Sequence, residues 1–114
     1  MSAEEHFERG FALRCEGRYG EAKVEFQLAL QADPNFLKAK WQLALILGFE
    51  GDFDGSLESL QKLSMAYPSN TDILNDLGMT YMMLGYQDEA CEAFARILAI
   101  SPDHENAARQ SKYC

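Results

Sequence analysis

Three prolines, the only ones in the chain, stand 34 residues apart at Pro34, Pro68 and Pro102. Their recurrence constrains the fold more than any other feature, because several residue types keep the same interval. Glycine returns as Gly17, Gly51 and Gly85, and a small residue returns as Gly10, Ala44 and Gly78. A second small position runs Ala22, Ser56 and Ala90. Bulky apolar positions follow as Phe26, Leu60 and Phe94, then as Leu13, Leu47 and Tyr81. A chain of 114 residues with this register holds three copies of one unit, at about 3–36, 37–70 and 71–104, and a remainder at about 103–113.

Each copy reads as two helices. Ala22, Phe26, Ala29 and Leu30 return at helical spacing, and Ser56, Leu60, Leu63 and Ala90, Phe94, Ile97, Leu98 repeat the stripe. No stretch alternates with the two-residue period of a strand. Gly10, Ala44 and Gly78 let the second helix of each pair come close. Gly17, Gly51 and Gly85 stand where the first helix stops, since glycine accepts the left-handed conformation of a helix end. Asp33-Pro34 and Ser101-Pro102 read as N-cap and first residue of the next helix, Ser69 with Asp72 as a capping pair, and Ser2 with Glu5 as a capping box. The expected fold is all-α: one domain over 1–114, a right-handed superhelical stack of three antiparallel hairpins. A short capping helix would cover its open end with Ala107, Ala108 and the stem of Lys112.

The first copy carries Ala22-Lys23-Val24-Glu25-Phe26-Gln27-Leu28-Ala29 and then Pro34. The third carries Leu74, Leu77, Gly78 and Tyr81, then Ala90, Phe94 and Pro102. Over residues 3 to 104 this resembles the tetratricopeptide repeat family, with His6, Arg9, Lys40 and Ser56 at usually apolar positions. The resemblance implies a helical solenoid that binds other proteins and is not an enzyme. Members that clamp the C-terminal carboxylate of heat-shock chaperones use Lys, Asn and Arg on their first helices. The matching positions here are Phe7 and Phe11, then Gln42, then Asp72 and Asp76, so the resemblance implies no such clamp.

A net charge of −8, with no basic cluster, argues against nucleic acid and anionic lipid. The longest apolar run, Leu43-Ala44-Leu45-Ile46-Leu47, is too short to insert in a membrane, and the acidic start Met1-Ser2-Ala3-Glu4-Glu5-His6 is no export signal. Cys15, Cys91 and Cys114 lack metal-ligand spacing and read as reduced thiols of a cytoplasmic protein, Cys15 as a buried, inert one. Glu50-Gly51-Asp52-Phe53-Asp54-Gly55 imitates a calcium loop, but Gln61 stands where a bidentate Glu is needed. His6 and His104 lie in different copies, so no metal, cofactor or catalytic group is expected.

First helices carry a second apolar stripe, turned away from the core stripe of Leu43, Ala44 and Leu47. It comprises Trp41, Leu45 and Phe49 in the middle copy, Met79, Met82 and Met83 in the third, and Phe7, Phe11 and Cys15 in the first. Either neighbouring first helices bury these residues, or they floor a concave groove. The groove reading makes Phe7, Phe11, Trp41, Gln42, Leu45, Phe49, Asn75, Asp76, Met79, Met82 and Met83 the candidate peptide-binding residues. The ligand would be an apolar or amphipathic peptide of another protein, with Glu4, Glu8, Asp72 and Asp76 favouring basic flanks. Two alternatives stand beside it: self-association into a homo-oligomer or scaffold, and a segment of a larger secretion, pilus or chaperone assembly.

Overall fold

In the computed structural model, which describes residues 1–114, the chain forms seven α-helices and no strand. They are α1 Ala3–Cys15, α2 Tyr19–Ala32, α3 Leu37–Phe49, α4 Phe53–Ala66, α5 Thr71–Met83, α6 Gln87–Ile100 and α7 Glu105–Ser111. Helices α1, α3, α5 and α7 begin at residues 3, 37, 71 and 105, so the proline interval is also the structural repeat. Two compact units result, Met1–Ser56 and Leu57–Cys114, with the boundary inside α4.

Three local devices write this repeat. At the end of each first helix, Gly17, Gly51 and Gly85 have φ of 77°, 93° and 86°. This lets Arg18, Asp52 and Tyr86 donate their N–H back to the carbonyls of Leu13, Leu47 and Tyr81, satisfying helix-end acceptors. At the third of these ends Tyr86 also packs edge-on to Tyr81, ring centroids 6.2 Å apart. The capping box forms as expected, with the Ser2 hydroxyl accepting from the Glu5 N–H and the Glu5 carboxylate from the Ser2 N–H.

The proline turns differ from expectation. Pro34, Pro68 and Pro102 are not first residues of helices. Each sits second in a β-turn, closed by Phe36, Asn70 and His104 N–H donating to the carbonyls of Asp33, Tyr67 and Ser101. That position suits proline's fixed φ equally well. Asp33 and Ser101 therefore end α2 and α6, and the Asp33 carboxylate accepts from the Asn35 N–H inside the turn. The N-cap of α5 is Asn70, whose side chain accepts from Ile73 N–H at 3.1 Å, in place of the Ser69–Asp72 pair. His104 caps α7 through Nδ1, accepting from Ala107 N–H at 3.1 Å.

In the first unit α1 and α2 pair around Phe26, which is fully buried with Ala22, Ala29, Ala39 and Ile46. A Cβ on Gly10 would lie 2.8 Å from the Phe26 ring, so only glycine admits the ring there. Burying such a side chain contributes roughly 1.5–3 kcal/mol. Ile46, outside the expected core stripe of α3, is 0% exposed. The polar residues of α1 find a partner on α2: Glu25 lies 2.8 Å from His6 and 3.8 Å from Arg9. In the second unit Phe94 is the counterpart of Phe26, buried with Leu74, Ala90, Ile97 and Ala107, and a Cβ on Gly78 would lie 2.8 Å from its ring.

The cysteines correct the reduced-thiol expectation. Cys91 on α6 and Cys114 beyond α7 form a disulfide, with Cα atoms 5.9 Å apart. Cys15 is a free thiol but exposed, not buried. The compartment inferred from reduced thiols loses that support; what stands is that no helix is long and apolar enough to cross a membrane.

Candidate functional site

In the first unit α1 and α3 bring aromatic rings and cations together. Phe7 is half-buried, with its ring 5.7 Å from both Phe26 and Phe36, so it belongs as much to the core as to the surface. Phe11, one turn on, is 39% exposed with its ring 6.1 Å from Phe7. Phe49 ends α3, 50% exposed, and stacks at 5.8 Å on Tyr19. The Arg14 guanidinium bridges the two exposed rings, 4.7 Å from Phe11 and 5.5 Å from Phe49. Lys38 lies 5.7 Å over Phe7 and 3.8 Å from the Glu4 carboxylate, so that acid is not an isolated charge.

Arg14 is the residue that sequence reasoning missed here. The stripe runs Phe7, Phe11, Arg14 rather than Phe7, Phe11, Cys15; the two alternatives differ by one residue, or about 100° of helix rotation. The i+3 spacing from Phe11 to a cation was the signal available.

Trp41, Gln42 and Leu45 on α3 are all half-buried. Gln42 stands two turns ahead of Phe49 on the same helix face. Its Oε1 is buried and has no hydrogen-bond partner, and neither has the buried Nε of Arg14. Unpaired buried polar atoms are uncommon in native proteins. The acidic turn after α3 is occupied differently from a calcium loop: the Asp52 carboxylate accepts from the Gly55 N–H at 2.8 Å, and Glu50 pairs with Lys23 at 2.8 Å.

In the second unit the candidates lie on α5. Met79 and Met83 are 40% and 62% exposed, whereas Met82 packs against the Phe94 core. Asn75 accepts at 2.5 Å from the side-chain amide of Asn106 on α7, which also lies 3.5 Å from the Met79 sulfur. Asp76 is half-buried, and its main-chain carbonyl accepts from the Thr80 hydroxyl at 2.8 Å. Asn106 was not legible as a site neighbour, since α7 reads from sequence only as a polar cap around Ala107.

Each unit also holds a cavity away from these residues. The first, about 570 Å³, is walled by Arg9, Leu13, Glu21, Val24 and Glu25 among others. Glu21 and Glu16 hold the Arg18 guanidinium at its rim above its ordinary pKa by hydrogen bonding. The second, about 310 Å³, uses the same repeat positions, Leu77, Tyr81, Glu89, Glu92 and Ala93, and there α4 lies alongside with Gln61 donating to the Tyr81 hydroxyl at 2.8 Å. No three His, Cys, Asp or Glu side chains converge as metal ligands.

The tetratricopeptide repeat family model matches residues 3–36 and 71–104, more than half of the chain. Over 55 residues, 48% of this chain, the sequence is 40% identical to the aspartyl/asparaginyl beta-hydroxylase of Mus musculus and 36% identical to that of Homo sapiens. The match spans only 7% of the length of those curated relatives. Among solved structures, YrrB, a TPR protein with an unusual peptide-binding site, superposes with a TM-score of 0.82 at 23% identity. The match covers 98% of this chain and 58% of that one. The first TPR of Spaghetti (RPAP3), bound to the HSP90 peptide SRMEEVD, superposes with a TM-score of 0.83 at 20% identity, over 97% of this chain and 88% of that one. At these identities the likeness is one of fold.

Proposed function

Because this chain belongs to the tetratricopeptide repeat family, a family of protein-interaction modules, we propose that it holds an apolar peptide segment of another protein on the α1–α3 face of its first unit. One arrangement supports the reading. Two exposed rings, Phe11 and Phe49, flank the Arg14 guanidinium on one face. The rings take an apolar side chain of the peptide. The second unit offers Met79 and Met83, adaptable thioethers suited to a partner of variable shape.

The test is selection from a displayed library of random peptides, followed by titration of each captured peptide against Trp41 fluorescence. Phe49→Ala is expected to weaken binding by about 2 kcal/mol, as truncating an aromatic anchor does. Its stability should change little, since the ring is 50% exposed. Capture of no peptide, or of peptides that bind Phe49→Ala as tightly as the parent, sinks the proposal.

A further inference from the structure

We propose that the Cys91–Cys114 disulfide is a redox latch that fastens α7 over the Asn75–Met79 stretch of α5. That it thereby sets how much of α5 a partner can reach rests on the interaction reading above. Helix α7 has seven residues, too few to persist as a helix by itself. Its one buried side chain is the methyl of Ala107, whereas α2 and α6 are each seated by a fully buried phenylalanine. The remaining ties are polar or covalent. Asn106 donates to Asn75, Gln87 of α6 donates to the Tyr113 carbonyl at 3.0 Å, and Cys114 is bonded to Cys91. With so little apolar area holding α7, the covalent tie decides whether it stays. When it does, the Asn106 amide occupies Asn75 and lies 3.5 Å from the Met79 sulfur.

The geometry also supplies the release. Cys114 is exposed and Cys91 half-buried, so an incoming thiolate meets the Cys114 sulfur first. A dithiol reductant attacks Cys114 Sγ, the S–S bond breaks, and Cys91 leaves as a thiolate that takes a proton. The second thiolate of the reductant then attacks its own sulfur in the mixed disulfide, and Cys114 departs as the second thiol. Two electrons and two protons enter the protein, and the reductant leaves as its disulfide.

The experiment uses the full chain purified without reductant. Alkylation under denaturing conditions should label Cys15 alone. Hydrogen exchange of the α7 amides is then followed in this protein, after dithiothreitol, and in Cys114→Ser and Cys91→Ser. Releasing a loop of this size should raise the local opening equilibrium, and so α7 exchange, by roughly a hundredfold. Amides of α1 and α2 should not respond. Labelling of all three cysteines in the unreduced protein overturns the proposal. So does α7 exchange indifferent to reduction, or a response to dithiothreitol that neither serine variant reproduces. If the latch opens but neither form captures a displayed peptide, the latch stands and the interaction reading falls.

Discussion

Substituting alanine for Gly78 adds one methyl group at a close approach of α5 and α6. The new Cβ would lie 2.8 Å from two carbons of the Phe94 ring and 3.3 Å from a third. The ring is fully buried and has nowhere to swing. Overpacking of this kind costs about 1–3 kcal/mol, against a gain of about 1 kcal/mol in helix propensity from replacing glycine. The balance is a loss of up to about 2 kcal/mol. Gly20→Ala, on α2 with open space around it, gives the opposite sign, a gain of up to about 1 kcal/mol. The sequence of the middle repeat suggests the rescue, because it carries Ala44 and Leu60 at the positions where the outer repeats carry glycine and phenylalanine. Phe94→Leu alone should cost about 1–2 kcal/mol for the void it leaves. Combined with Gly78→Ala it should cost less than the two losses added, by about 1–2 kcal/mol of coupling. Urea denaturation followed by far-ultraviolet circular dichroism reads the four variants against the parent. A Gly78→Ala protein more stable than the parent, or a double variant whose losses simply add, refutes the close-approach argument.

Asn70→Ala should lower stability by about 1 kcal/mol through loss of the α5 cap while Ser69→Ala changes nothing, and denaturation of the pair distinguishes the two capping assignments. Hydrogen bonds from the Ser2 backbone and side chain hold the Glu5 carboxyl below its ordinary pKa. The stability it contributes is therefore present above the ordinary glutamate pKa and lost as pH falls through the lower folded value; Glu5→Gln should flatten that part of the acid-stability profile. Trp41 is half-buried, so Trp41→Ala should lose much less than the 3–5 kcal/mol of a fully buried tryptophan while weakening capture of a selected peptide by about 2 kcal/mol. Paired denaturation and binding measurements check this, and a variant that binds normally but is destabilised by several kcal/mol places Trp41 in the core instead.

Helix number, the 34-residue repeat and the ends of the first helices were readable from residues alone. The signals that write them act within one turn of chain: a glycine able to take positive φ at residues 17, 51 and 85, and apolar residues at helical spacing. Gly10 was readable as a point of close approach, since a small residue returns at that place in every repeat, but that the Phe26 ring fills the space was decided by packing. Where two local solutions are equally good, pattern could not choose. Proline fits the second place of a β-turn as well as the first turn of a helix, and the backbone hydrogen bond from Phe36 to Asp33 settles which is used. Other features depend on approach between segments distant in sequence. Arg14 rather than Cys15 lies between Phe11 and Phe49 because the packing of α3 on α1 sets the rotation of that face. Cys91 meets Cys114 across 23 residues, and Asn106 meets Asn75 across 31, only because α7 folds back on α5 and α6. Periodicity along one helix records which face is apolar. Distances between faces come from side-chain volumes packing in three dimensions, and those distances decide which side chains meet.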